Sequence, residues 1–260
     1  MPNGKLDLRK EAQQHLPNIE LDPQLYPLRD MAIQTWKGRM VNEHGSAEVF
    51  DGLYQQCLDF GLKESDLLRL KSFAAEERKH GVLCGAVVEA LGGEAVAVAL
   101  KQPEYPDHLD VGALESILRN LLSISCLSET VAVSLIAAER EELPEGSLKE
   151  LLTEIWADEC GHANFGWRLL KELLPKGDRD LPKRLAEYLR QAFGHLEVHE
   201  LAHLPLESNP PPEGSRLGLC AGREARALFY ATVEGIIIPS LESHGISAKW
   251  AWENRCYLES

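Results

Sequence analysis

Apolar side chains recur along this chain at intervals of three and four residues, with almost no strict alternation, so the pattern predicts helices and no sheet. Gly and Pro breaks cut the pattern into segments. Residues 1–27 are Pro-punctuated and read as a loosely packed arm. A first helix is predicted over 28–60, closed by Gly61. Ser65 or Asp66 can cap a second, which runs to Leu91 and stops at Gly92-Gly93. A connection containing KQPEYPDHLD follows, long enough for the second and third helices to run parallel. The third helix is predicted over 111–142 and ends at Pro144-Glu145-Gly146. Ser147 can cap the fourth, which ends before Pro175. A fifth covers 181–204, a stiff linker with Pro210, Pro211 and Pro212 covers 206–215, and a sixth covers 222–241. A tail carrying Trp250 and Trp252 closes the chain. The expected fold is all-α: an arm (1–27), a four-helix bundle of two hairpins joined by a long crossover (28–180), and a two-helix C-terminal extension packed on the bundle (181–260).

Composition changes this picture little. The 260 residues are 44% apolar and 26% charged, ordinary for a globular chain. A net charge of −14 leaves no basic run to neutralise phosphates, which argues against nucleic acid as a partner. No apolar stretch approaches the roughly 20 residues that cross a bilayer, and the polar N-terminus has no signal-peptide core. A cytoplasmic protein without a membrane partner is expected. Cys57, Cys84, Cys126, Cys160, Cys220 and Cys256 contain no CxxC pair, which suggests reduced, mostly buried thiols.

The chemistry lies in polar residues on faces that should be apolar. The inward stripe of the first helix reads Trp36, Met40, Glu43, Ala47, Phe50, Tyr54, and that of the second Leu70, Phe73, Glu77, His80, Cys84, Val87. The third reads Leu122, Cys126, Glu129, Val133, Ile136, and the fourth Leu151, Ile155, Glu159, His162, Phe165, Leu169. Each stripe is interrupted by a Glu, twice with a His three residues later on the same face. Four carboxylates and two imidazoles buried without compensation would cost more than the roughly 5–15 kcal/mol by which a domain is stable. Two divalent cations would neutralise them. Carboxylate-rich ligation with one imidazole per ion suits iron, with manganese as the other candidate, better than zinc.

A Glu on each of two helices with Glu-x-x-His on each of the other two resembles the signature of the ferritin-like di-iron carboxylate superfamily. EHGSAEVF, AAEERKHGVLCGAVVEALGG and WADECGHANFGWRLL are similar to segments of bacterial ferritin-like domain proteins. The resemblance implies a ferritin-like bundle with metal ligands Glu43, Glu77, His80, Glu129, Glu159 and His162, the four glutamates also taking part in the chemistry. It implies two iron ions, dioxygen as co-substrate, an electron donor, and oxidation of a small organic substrate by an oxidase or monooxygenase. Iron or peroxide handling, as in a ferroxidase or a rubrerythrin-like peroxidase, is the alternative, and a non-catalytic metal-stabilised bundle is a third. A homodimer is compatible with any of these.

Several residues carry competing readings. Glu48 rivals Glu43, but it lies on a stripe with His44, Gln55 and Asp59 that reads as polar, so periodicity favours Glu43. Tyr54 is a candidate hydroxyl near the ligands or an ordinary core tyrosine. His195, His199 and His203 fall at one-turn intervals on the fifth helix; His199 and His203 continue an apolar line and are candidates to support the metal ligands, or a polar edge. Cys84 and Cys126 read as packing residues. Glu76, Arg78, Lys79, Asp158 and Arg168 read as outward surface charges.

Overall fold

The computed structural model describes residues 4–99 and 105–257. Residues 1–3 of the expected arm, 100–104 of the expected crossover and 258–260 of the tail lie outside the described residues. The described chain is mostly helical, as its periodicity predicts. Its residue contacts divide it into two units, 1–105 with 138–158 and 210–220, and 106–137 with 159–209 and 221–260.

The first unit is built on two long helices, α2 (Arg29–Phe60) and α3 (Glu64–Ala90). Gly61 ends α2 in the left-handed region at φ 84°, where only glycine avoids a steric penalty. Neither Ser65 nor Asp66 caps α3: the helix begins at Glu64, with Lys63 at its N-cap position and no side-chain cap hydrogen bond. The Asp66 carboxylate faces the Lys63 ammonium at 3.6 Å instead. Trp36, Met40, Ala47, Phe50, Leu53 and Cys57 of α2 are buried, as are Leu70, Phe73, Ala74, Cys84 and Val87 of α3. Phe50 and Phe73 meet edge to face at 5.5 Å. Each such large side chain contributes roughly 1.5–3 kcal/mol by leaving water.

The N-terminal arm is more ordered than its prolines suggest. Strand β1 (Lys5–Asp7) pairs antiparallel with β2 (Val96–Val98), in the register Lys5↔Val98, Leu6↔Ala97, Asp7↔Val96. The short helix α1 (Arg9–Ala12) follows, and Leu8, Ala12 and Leu25 are buried. Three-residue strands carry too few positions for alternation to reveal them. Elsewhere in this unit the Trp36 indole donates to the Leu217 carbonyl at 2.8 Å, and Arg39 forks onto Glu139 with bonds of 2.9 and 2.7 Å. Gly218, at φ 73°, has no room for a side chain between Trp36 and Glu139.

The second unit opens with α4 (Ala113–Leu121), a π-helical segment over Leu122–Ser128, and α5 (Glu129–Glu142). Periodicity predicts one regular helix here and misses the π segment. The whole run 113–142 is long and apolar enough to cross a membrane, contrary to the expectation from the sequence. It carries the buried charged residues Glu115 and Glu129, and 44% of its apolar window is buried. Arg119 and Arg184 both bond Glu115, at 2.8 and 2.6 Å.

Helix α6 (Ser147–Leu173) enters this unit at Glu159, and α7 (Leu181–His203) follows. The sixth predicted helix is three pieces: α8 (Gly222–Thr232), a π turn Val233–Ile237, and α9 (Ile238–Ser243). The aromatic tail forms α10 (Ala248–Glu253), with Trp252 edge to face on Phe193 at 5.3 Å. The buried Glu197 accepts bonds from Arg255, Tyr230 and Tyr257 and anchors the tail to α7. Burial alone would raise its pKa, but these three donors outweigh it and hold the carboxyl below its usual range.

Two glycines of the first unit test the packing with opposite signs. A Cβ on Gly81 would come within 2.9 Å of His44 Cβ and 3.2 Å of the Met40 carbonyl, so α2 and α3 touch there backbone to backbone. Gly81→Leu is expected to cost about 1–3 kcal/mol through overpacking. Gly38 has nothing within 4 Å, and Gly38→Ala is expected to stabilise by about 0.5–1 kcal/mol. Chemical denaturation measures both, and a neutral Gly81→Leu would contradict the close approach.

Candidate metal centre

In the first unit, α2 supplies Glu43 and α3 supplies Glu77 and His80, the latter two one helical turn apart. His80 is fully buried, with Nδ1 3.6 Å from a Glu43 oxygen and 4.0 Å from a Glu77 oxygen. These gaps exceed a normal hydrogen bond, and they match donors that share an ion held about 2.0–2.2 Å from each. The opposite ring nitrogen, Nε2, lies 3.2 Å from the Asp158 carboxylate. Bonded this way, Asp158 holds the proton on Nε2 and leaves the Nδ1 lone pair directed at Glu43 and Glu77.

The second unit repeats the arrangement. Glu129 is the residue at which the π segment gives way to α5, and α6 supplies Glu159 and His162. His162 is fully buried, with Nδ1 3.8 Å from Glu129 and 3.3 Å from Glu159. The wide π turn, with its loosened backbone bonding, brings Ser125, Cys126, Leu127, Glu129, Thr130 and Val131 all into buried positions. One serine bonds the backbone of this segment, and other side chains here bond one another. Ser128 donates to the Ser123 carbonyl at 3.2 Å, Ser123 meets the Tyr188 hydroxyl at 2.6 Å, and the Trp167 indole donates to Thr130 at 3.1 Å.

Ligand-type atoms fall into two groups whose members all lie within 4.8 Å of one another: Glu43, Glu77, His80 and Glu159, and Glu77, Glu129, Glu159 and His162. Glu77 and Glu159 belong to both groups. Glu43 and His80 occur only in the first, and Glu129 and His162 only in the second. Buried carboxylates and imidazoles this close together form a donor set that could hold a metal ion. Each of the six side chains singled out from the sequence falls in one or both of these groups, which could hold a metal ion.

The other candidates are placed differently. Glu48 is exposed. Tyr54 is half-buried, and among the described residues no bond from its hydroxyl to a ligand side chain is present. His195 and His203 are exposed and His199 half-buried along one edge of α7. Burial pushes the Cys84 thiol well up, with the Glu43, Glu139 and Glu77 carboxylates adding to the shift, and burial likewise raises Cys126. Both thiols stay protonated and serve as packing, since a thiolate is what binds metal.

Arg78 pairs with Asp51 and Lys79 with Glu154, as surface charges should. Asp158 departs from that expectation. It is half-buried against His80, and the usable signal was its position one residue before a ligand glutamate. The half-buried Arg39–Glu139 pair was also missed, because neither residue belongs to a recognisable motif.

None of the protein families, curated proteins and solved structures compared with this chain matches it.

The Asp158 contact gives a sharp test. Asp158→Asn keeps an acceptor for His80 but removes the charge that raises the basicity of its ring, and is expected to weaken metal binding by roughly tenfold, within the usual 10–100-fold range for such partners. Titration with Mn(II) measures it, beside Glu48→Ala as the variant expected to change nothing. Equal affinity for Asp158→Asn and the parent would remove Asp158 from the centre.

Proposed function

We propose that this chain is a ferritin-like di-iron carboxylate protein that uses dioxygen to oxidise a small organic substrate, with electrons from a separate donor. The observation that carries the reading is the pair of four-residue groups sharing Glu77 and Glu159. Two iron ions so held would supply the electrons and coordination positions that dioxygen reduction requires.

The residues around the centre divide the remaining work. Asp158 orients His80 and fixes its tautomer. Glu77, Glu159, His80 and His162 are almost wholly buried, which keeps water from competing for the ligand atoms and strengthens every electrostatic interaction there. Glu43 is the least buried of the six, with its side chain 19% exposed, and Glu129 follows at 10%. Carboxylates with some freedom can shift between binding modes as the charge of the centre changes. Phe50 and Phe73 on the same helices as the first trio are fully buried and hold its backbone fixed.

Stoichiometry tests the reading. Anaerobic titration with Fe(II) is expected to saturate at two ions per chain, and Glu129→Ala to reduce this to one or none. Exposure of the loaded protein to dioxygen is expected to consume it without growth of iron mineral. A Glu129→Ala protein with both ions in place would take Glu129 out of the site. Sustained mineral growth would move the function to iron handling.

A further inference from the structure

The histidines of α7 belong to no part of the carboxylate centre, and their geometry is that of a second site. His195, His199 and His203 succeed one another at one-turn spacing on one edge of the helix, which sets successive rings beside one another. The His199 and His203 rings are 4.6 Å apart between centroids, and those of His195 and His199 are 6.2 Å apart and nearly parallel. Two imidazoles that bind one ion through nitrogens at about 2.0–2.1 Å need a ring separation close to that of the His199–His203 pair.

The hydrogen bonds of both rings point the same way. His203 Nδ1 donates to the His199 carbonyl at 2.9 Å, which leaves the lone pair on Nε2. His199 Nδ1 lies 3.3 Å from the Glu200 carboxylate, and that partner likewise assigns the proton to Nδ1 and the lone pair to Nε2. A backbone carbonyl behind one ring and a carboxylate behind the other is the arrangement that readies histidine as a ligand. Burial, and then the neighbouring His199, lower the pKa of His195, so this third ring is neutral and able to bind at pH 7.

We propose that His199 and His203 chelate a divalent transition-metal ion of the nickel, copper or zinc class at the surface of α7, with His195 as a third donor reached by side-chain rotation. A donor set of imidazoles suits these ions, whereas magnesium and calcium want oxygen. The site is independent of the carboxylate centre and of the function proposed for it.

Immobilised Ni(II) provides the test, using the untagged full-length protein. His80 and His162 are fully buried and cannot reach a resin, so retention reports surface histidines alone. The parent protein is expected to be retained and eluted by imidazole. The His199→Gln/His203→Gln variant is expected to flow through, whereas His15→Gln and His244→Gln are retained like the parent. In solution, calorimetric titration with Ni(II) is expected to show at least about tenfold weaker surface binding for His203→Gln, a loss of about 1.4 kcal/mol. Fe(II) uptake is expected to be unchanged in that variant. A parent that flows through, or a double variant retained as strongly as the parent, would overturn the site.

Discussion

Charge buried in an apolar helical core is the constraint on which the rest of this structure depends. Glu77, Glu129, Glu159, His80 and His162 are each at most 8% exposed, on helices whose other buried residues are mostly apolar. Like charges at such spacing repel, and transfer from water adds a penalty of several kcal/mol per ion. The imidazoles lie 3.3–4.0 Å from the carboxylates of their own groups. A bound cation would relieve the repulsion and engage the donors together, which is why the proposed function begins from metal.

Everything close to the ligands serves to hold them at those separations. In the first unit, Gly81 lets α3 come up against the backbone of α2 one residue from His80. The interlocked rings of Phe50 and Phe73 stiffen the same pair of helices, and Asp158 fixes the imidazole. In the second, the π segment sets Glu129 facing inward, and Gly166 of α6 accepts the backbone of Ser125 at close range. A metal site tolerates little play, so rigid helices with locked side chains are better carriers than loops.

How much of this could be read from the sequence follows from what periodicity encodes. It separates buried from exposed positions on a regular helix, and on that basis it chose Glu43, beside His80, over Glu48, which is exposed. It cannot register a π turn, because one extra residue per turn leaves composition unchanged and the serines that stabilise it are common helix-surface residues. Asp158 was misread for a related reason: a carboxylate on the flank of a stripe looks solvated until its neighbour across the helix boundary is known. The paired strands and the buried arm residues Leu8, Ala12 and Leu25 were hidden because their partners are remote in sequence.

Crystals grown with Mn(II) and measured at a wavelength of strong anomalous scattering would test the central claim most directly. The account predicts two peaks about 3.5–4 Å apart, the separation usual for two-metal sites. Glu77 and Glu159 should reach both, Glu43 and His80 one, and Glu129 and His162 the other. A single peak, or none among these six side chains with the chain folded as described, would contradict it.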